Sequence, residues 1–365
     1  MRPDPMEEIL DSLWDLMEGA RNCVRGYTRV KSGEKVCIWT DRSAEVDPRV
    51  VEAFGVAVEE VGAEAFLLSS GSVIHRLKQP LQKPVLAAIK EADVLLSFQR
   101  LENAATIHNN DISALLFSTP LRNTAVISLT PELLASEWAR FPAELLFFIY
   151  RKVRDQALSS GTDVFRLTDP RGSDLTGRIP YVYGFKYVEP PKKWQFFPGG
   201  EMAELPAPPV NGTLVFEQLE GFEGFVSEPI RLTIEDQWVT RVEGGDEARW
   251  FRDRMDRYEN GNFFCEVAIG AHPKAPVSVG LKTRAMDTIA HRHSGTFHCA
   301  VGKWGAPGVE VSSDWHWDGG GLHPTFTLGD VVLVENGRLT ALDDPEVREF
   351  ASRYGHPDDV LAEVW

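Results

Sequence analysis

The first half of the chain repeats one pattern: a short, almost unbroken apolar run followed by a stretch with helical spacing. Lys35-Val36-Cys37-Ile38-Trp39, Glu64-Ala65-Phe66-Leu67-Leu68, Asp93–Phe98 and Thr124–Leu129 have the length and side-chain bulk of strands. Between the first two, Asp47 caps and Pro48 opens a helix that puts Val51, Phe54, Ala57 and Val58 on one face. Further helices are predicted near Pro84–Ala92, around Asn109–Phe117, and as one long helix over Pro131–Leu158. Strands that are apolar on both faces must be covered on both faces. Alternating them with amphipathic helices achieves this only in a parallel sheet between two helical layers. The expectation is an α/β N-terminal domain with a mainly parallel sheet, over residues 1–188.

The texture then changes. Proline and glycine crowd Pro190-Pro191, Pro198-Gly199-Gly200 and Pro208-Pro209, and short β-type runs follow at Gly212–Phe216, Ile230–Ile234, Trp238–Val242, Gly295–Val301 and Val331–Val334. One Arg- and Asp-rich helix interrupts them near Asp246–Tyr258. Such spacing predicts a second domain over residues 189–365, α+β with a largely antiparallel sheet. A chain of 365 residues, 43% hydrophobic, has room for two cores.

With 54 acidic against 38 basic residues the formal charge is −16, and phosphate backbones and anionic membrane surfaces are repelled. The expected partner is a small-molecule or short peptide-like substrate. No run approaches the roughly 18 apolar residues of a membrane span, and the first residues lack a basic-then-apolar leader, so a cytoplasmic location is expected. Cys23, Cys37, Cys265 and Cys299 form no CxxC pair and read as small buried hydrophobes. No GxGxxG follows the first strand, and Ser70-Gly71-Ser72 is too sparse to cradle phosphates. Ligands of open α/β sheets sit at the carboxyl ends of strands. That makes Arg100, Asn103 and His108 candidates to face a substrate; a solvated loop explains them equally well.

The chemistry concentrates in the second half. In Ser313-Asp314-Trp315-His316-Trp317-Asp318-Gly319-Gly320-Gly321, an extended backbone points His316 and Asp318 to one face and the two tryptophans to the other, with the glycines free to turn the chain away. His298 lies in the strand-like run Gly295–Gly302. Glu266 interrupts the apolar run Phe263–Gly270, and Glu201 follows the turn Phe197-Pro198-Gly199-Gly200; an unpaired charge in either place would be costly. Two imidazoles and three carboxylates without a thiolate suit zinc, cobalt, manganese or iron(II). Five donors match the count needed by a pair of divalent metal ions sharing a carboxylate. On the same alternation Cys265 and Cys299 point away from that face. His291 and His293, flanking Arg292, are candidates to carry a proton or reach the substrate, with a solvated strand end as the plain alternative. Trp194 and Trp304 are candidate substrate-binding walls; core packing accounts for such clusters too.

Taken in order, Phe-Pro-Gly-Gly-Glu201, Asn211–Val215, Glu266–Gly270, Thr-Phe-His298-Cys-Ala-Val-Gly302 and Asp314–Asp318 resemble the thermophilic leucyl aminopeptidase (aminopeptidase T) family. The resemblance implies a homodimer with an N-terminal α/β domain and a C-terminal domain holding two metal ions through Glu201, Glu266, His298, His316 and Asp318. It implies a hydrolase that cleaves an amide or peptide-like bond with a metal-activated water. A second branch of that superfamily, 2,5-dihydroxypyridine 5,6-dioxygenase, opens a heteroaromatic ring with one iron(II) on two His and one Asp. It keeps the His-x-Asp pair, has a histidine where this chain has Glu266, and loses the ligands equivalent to Glu201 and His298. The aminopeptidases also carry a tyrosine where this chain has Gly305 beside Trp304. The ligand pattern therefore favours the two-metal hydrolase, with the iron(II) ring-cleaving dioxygenase as its rival and a catalytically silent metal-binding homologue as a third reading.

Overall fold

A computed structural model of the chain describes residues 5–41, 46–71, 81–98, 114–116, 118–127, 130–180, 193–222, 224–277, 290–304 and 310–365. Arg100, Asn103 and His108 lie outside the described residues, as does most of the 109–117 segment. The chain divides into two compact units, residues 1–144 with 189–199, and residues 145–188 with 200–365.

In the first unit, α1 (Pro5–Arg21) precedes the first strand–helix repeats: β1 (Lys35–Asp41), α2 (Pro48–Glu59), β2 (Glu64–Ser70), α3 (Lys83–Lys90), β3 (Val94–Phe98) and β4 (Arg122–Val126). The four strands and a later one, β7 (Trp194–Phe197), form a parallel sheet in the order β2-β1-β3-β4-β7. All of β3 is buried, as expected of a strand covered on both sides. The Asp47 side chain accepts from the Arg49 backbone N–H and Pro48 opens α2. The buried face of α2 is Val50, Ala53, Phe54, Ala57 and Val58, with Val51 only half-buried. Trp194 packs here, beside the Cys37–Ile89–Leu95 cluster and edge-on to Phe196.

The long helix predicted over Pro131–Leu158 is three helices: α4 (Pro131–Leu134), α5 (Glu137–Arg140) and α6 (Ala143–Ser159). Local side chains break it. Thr130 caps α4, Ser136 caps α5 by accepting from Ala139, and Pro142 cannot continue a helix from α5.

The second unit carries two antiparallel sheets. One has eight strands in the order β12-β11-β9-β6-β5-β16-β17-β18: β5 (Val164–Thr168), β6 (Asp174–Arg178), β9 (Ala207–Phe216), β11 (Ile230–Glu235), β12 (Trp238–Glu243), β16 (Thr325–Leu328), β17 (Val331–Glu335) and β18 (Arg338–Leu339). The other runs β10-β15-β14-β13-β8 and is built from β8 (Glu201–Glu204), β10 (Gln218–Leu219), β13 (Phe264–Gly270), β14 (Thr296–Trp304) and β15 (Ser312–Leu322). This division into a parallel α/β sheet followed by antiparallel sheets is the predicted architecture. Helix α7 (Asp246–Met255) covers the reverse face of β15. Trp315 contacts Phe251 and stacks on Tyr258, and Trp317 lies against Trp250. The glycines 319–321 do not turn the chain away, since β15 continues to Leu322. They permit close approach instead: a Cβ at Gly319 would strike the ring of Phe216 in β9. Among the described residues no helix is long and apolar enough to cross a membrane.

Candidate metal centre

Register explains why residues scattered in sequence share one face. Across β13 and β14, Glu266 pairs with Ala300 and Ala268 with His298; across β14 and β15, His298 pairs with Gly320, Ala300 with Asp318 and Gly302 with His316. Gly270 pairs with Glu201 of β8. Directly opposed residues point to the same side of a sheet. Glu201, Glu266, His298, His316 and Asp318 therefore all face one way.

They are not equivalent there. His298 Nε2 lies 3.1 Å from Glu266 Oε1, and His316 Nε2 lies 3.1 Å from Asp318 Oδ1 and 3.7 Å from Glu266 Oε2. Glu201, at the edge, is held by Arg292, whose Nη2 is 3.0 Å from its Oε2 and whose guanidinium is buried. Among the described residues, the group whose donor atoms come within 4.8 Å of one another is His291, His298 and Asp318. His291 enters from a short 3-10 turn, Ala290–Arg292, and its ring stacks on that of His298 at 4.7 Å and 13°. Gly320 makes room for it, because a Cβ there would stand 3.1 Å from the His291 ring and 2.6 Å from the Phe297 carbonyl oxygen.

His291 and His293 are both fully buried, which removes the solvated strand end as an explanation. They diverge. His293 Nδ1 accepts from the Gly295 backbone N–H at 2.9 Å and its ring lies against Trp365, so it stands outside the converging group. Trp304 ends β14, and Trp194 belongs to the first unit. Cys265 departs from the strict alternation. A register shift between Phe264 and Glu266 makes it the extra residue of a bulge, and its Sγ comes 3.6 Å from His316 Nδ1. Alternation gave no signal for this. Two further residues escaped the sequence reading: Arg292, which captures Glu201, and Glu220, whose Oε2 accepts from the Asp318 backbone N–H at 3.2 Å.

The electrostatics follow from burial and from the carboxylates. Burial pushes His291 well below the ordinary histidine range, and the neighbouring His298 adds to this. Burial also opposes charge on His298, but the hydrogen bond and charge of Glu266 outweigh it and raise His298. For His316 burial is again overcome, by Cys265 and Asp318 beside it, and the ring is raised well above its usual value. Burial alone would raise Asp318, yet the charges of His316, His298 and His291 hold it far below the usual carboxylate range. A metal ion fits this donor set. His291 Nε2 and His298 Nδ1 are buried with no hydrogen-bond partner, and Asp318, whose Oδ1 is 3.1 Å from His316 Nε2, completes the converging group. Such orphaned atoms cost about 1–3 kcal/mol each unless something occupies the space between them.

Fold and site together define a two-unit protein with a two-imidazole, one-carboxylate centre on an antiparallel sheet, a donor set suited to non-heme iron(II). Residues 22–341 match the family model for NicX, 2,5-dihydroxypyridine 5,6-dioxygenase, and the chain belongs to that family. It is 26% identical over 189 residues to the 2,5-dihydroxypyridine 5,6-dioxygenase of Pseudomonas putida KT2440; the match covers 48% of this chain and 54%, about half, of that relative. The solved structure of 2,5-dihydroxypyridine dioxygenase from Pseudomonas putida KT2440 has the same fold: TM-score 0.70 at 21% identity, over 91% of this chain and 98% of that one. So has wild-type AmpT from Thermus thermophilus, with a TM-score of 0.62 at 15% identity over 89% and 99% of the two chains. The aminopeptidase-type hydrolase favoured by the ligand pattern is overturned by the family match and the dioxygenase relative. At 15% identity the likeness to AmpT is evidence of a common fold.

Proposed function

We propose that this chain is a ring-cleaving dioxygenase acting on a hydroxylated heteroaromatic such as a dihydroxypyridine, with one iron(II) held by His291, His298 and Asp318. The observation that carries this reading is the convergence of those three donors within 4.8 Å. Family membership supports the reaction class. The dioxygenase branch is expected to hold its iron through the His-x-Asp pair and a histidine where this chain has Glu266; this chain departs from that pattern, with His316 engaged by Asp318 and Glu266 and the stacked pair His291 and His298 supplying the two imidazoles instead. Bound iron(II) would supply open coordination positions for oxygen and for a ring hydroxyl.

The residues around that centre have separate tasks. Glu266, 3.1 Å from His298 Nε2, fixes the tautomer and orientation of that imidazole. Glu220 accepts from the Asp318 backbone N–H and so pins the point of β15 from which the carboxylate projects. His316, with Nε2 3.1 Å from Asp318 Oδ1 and 3.7 Å from Glu266 Oε2, is the group placed to move a proton as the ring opens.

The test is oxygen uptake with 2,5-dihydroxypyridine after anaerobic loading with iron(II). One O2 should be consumed per ring lost, with both atoms of labelled oxygen in a single product, and Asp318→Asn should abolish turnover. Stoichiometric iron without oxygen uptake across a panel of hydroxylated pyridines and benzenes would reject the assignment.

A further inference from the structure

His298 and Asp318 are fixed by the register of β14 and β15, but His291 belongs to no ladder. Its position depends on what holds the turn Ala290–Arg292 and the residues just after it. One side of that segment is held by backbone bonds: the His272 N–H donates to the Arg292 carbonyl at 2.9 Å, Ser294 to His272 at 3.2 Å, and Thr296 to His293 at 3.0 Å. Residues 363–365 grip the other side. A Glu363 carboxylate oxygen accepts from the Ser294 hydroxyl, while its second oxygen pairs with Arg338 Nη1 at 3.1 Å. The Val364 N–H donates to the Pro273 carbonyl at 3.1 Å. The Trp365 indole sits 4.4 Å from the His293 ring and 4.4 Å from the ring of His323, which it stacks upon. Gly295 is required for this approach, because a Cβ there would overlap the indole.

Core packing does not account for Trp365, which is 53% exposed. An indole so exposed adds little burial, yet it is wedged between two imidazoles, one of them two residues from His291. We propose that residues 363–365 form a positioning strap: Glu363 and Trp365 clamp the 291–295 segment so that the His291 imidazole stays over His298 and beside Asp318. Neither residue touches the converging donors. They act through the turn, one step further out than the hydrogen-bond partners of metal-bound histidines, whose loss typically weakens metal binding about 10–100-fold.

The inference rests on the metal centre described above, so its test reads metal binding rather than turnover. Cobalt(II) is titrated into the 365-residue chain and followed by visible absorption, with the melting midpoint of the metal-free protein as the folding control. Trp365→Ala should weaken cobalt binding about 10-fold and alter the absorption band with little change in the metal-free midpoint. Trp365→Phe, which keeps a ring in the wedge, should restore most of the affinity, and Glu363→Gln should weaken binding with the fold intact. Binding within twofold of wild type and an unchanged spectrum in Trp365→Ala and Glu363→Gln would overturn the strap while leaving the centre standing. If Trp365→Ala does not fold, the Glu363→Gln result decides alone. A wild-type chain that takes up no cobalt would overturn the centre and the strap together, and His298→Ala, which should lose cobalt entirely, marks that difference.

Discussion

Two buried imidazoles separated by one residue each make folding less favourable in acid. His293 is lowered to about 4 by burial and by the neighbouring His323, and His291 is lowered by burial and by His298. Unfolded, both would titrate near the ordinary value of about 6.5. Below that pH the unfolded chain binds more protons than the folded one, so stability falls as pH drops from about 6.5 to about 4 and is fully present above that window. For His293 alone the loss amounts to roughly 3 kcal/mol by pH 4. His298 and His316, both raised, act in the opposite sense, so the prediction concerns His293 alone: between pH 7.5 and pH 5 the urea midpoint of His293→Gln should lose less, or gain more, than that of wild type; identical pH profiles would show that His293 is not buried in its neutral form. A second prediction separates the carboxylates on the site face. Because Arg292 holds Glu201, Glu201→Gln should leave iron affinity within a fewfold of wild type, whereas His298→Ala or Asp318→Asn should abolish stoichiometric binding in equilibrium dialysis. Only half of that contrast was legible in the sequence. The His-x-Asp spacing declared its shared face, but nothing local announced that Arg292, from a distant turn, would claim Glu201, or that His291 would come in from outside the sheet.

Among the elements, strands were readable because their period is two and their apolar runs are short and bounded. The same rule that put His316 and Asp318 on one face put both tryptophans on the other, where α7 covers them. What alternation could not show were departures from period two. The bulge at Cys265 brings its sulfur to His316. The predicted long helix broke where Ser136 and Pro142 offered a cap and a stop that a continuous apolar pattern concealed. The three glycines of β15 looked like a turn and are a strand, since their missing side chains serve neighbours on both faces. A direct consequence concerns Gly320, whose hydrogen points at the His291 ring. Gly320→Ala should push that ring off His298 and lower iron affinity at least 10-fold, with a local shift of β14 at the Phe297 carbonyl oxygen, which the added Cβ would meet at 2.6 Å, and the rest of the sheet retained. Metal titration with circular dichroism on the same sample checks both halves; unchanged affinity would remove His291 from the centre.

For the whole molecule, the list of donors underdetermined the chemistry. Two imidazoles and three carboxylates on one face serve a two-metal hydrolase or a one-metal oxygenase equally well, and what distinguishes them is which side chains converge and which are engaged elsewhere. In this chain Glu201 is engaged by Arg292, while His291, unassigned by the motif pattern, joins His298 and Asp318. The division into parallel and antiparallel units leads to a further expectation. The proposed centre draws every donor from the second unit, from strands β14 and β15 and the turn before β14, so bound iron should stabilise that unit through mass action. At a free iron(II) concentration a hundredfold above Kd, the gain is about 2.7 kcal/mol. Hydrogen exchange should show it as roughly 100-fold slower exchange of globally opening amides in β13, β14 and β15, reversed by a chelator. Amides of β1 and β3, in the first unit, report whether the gain extends beyond the sheet that binds the ion. If β13–β15 exchange at the same rate with and without iron, these strands do not hold it, and the ring-opening proposal loses the centre on which it depends.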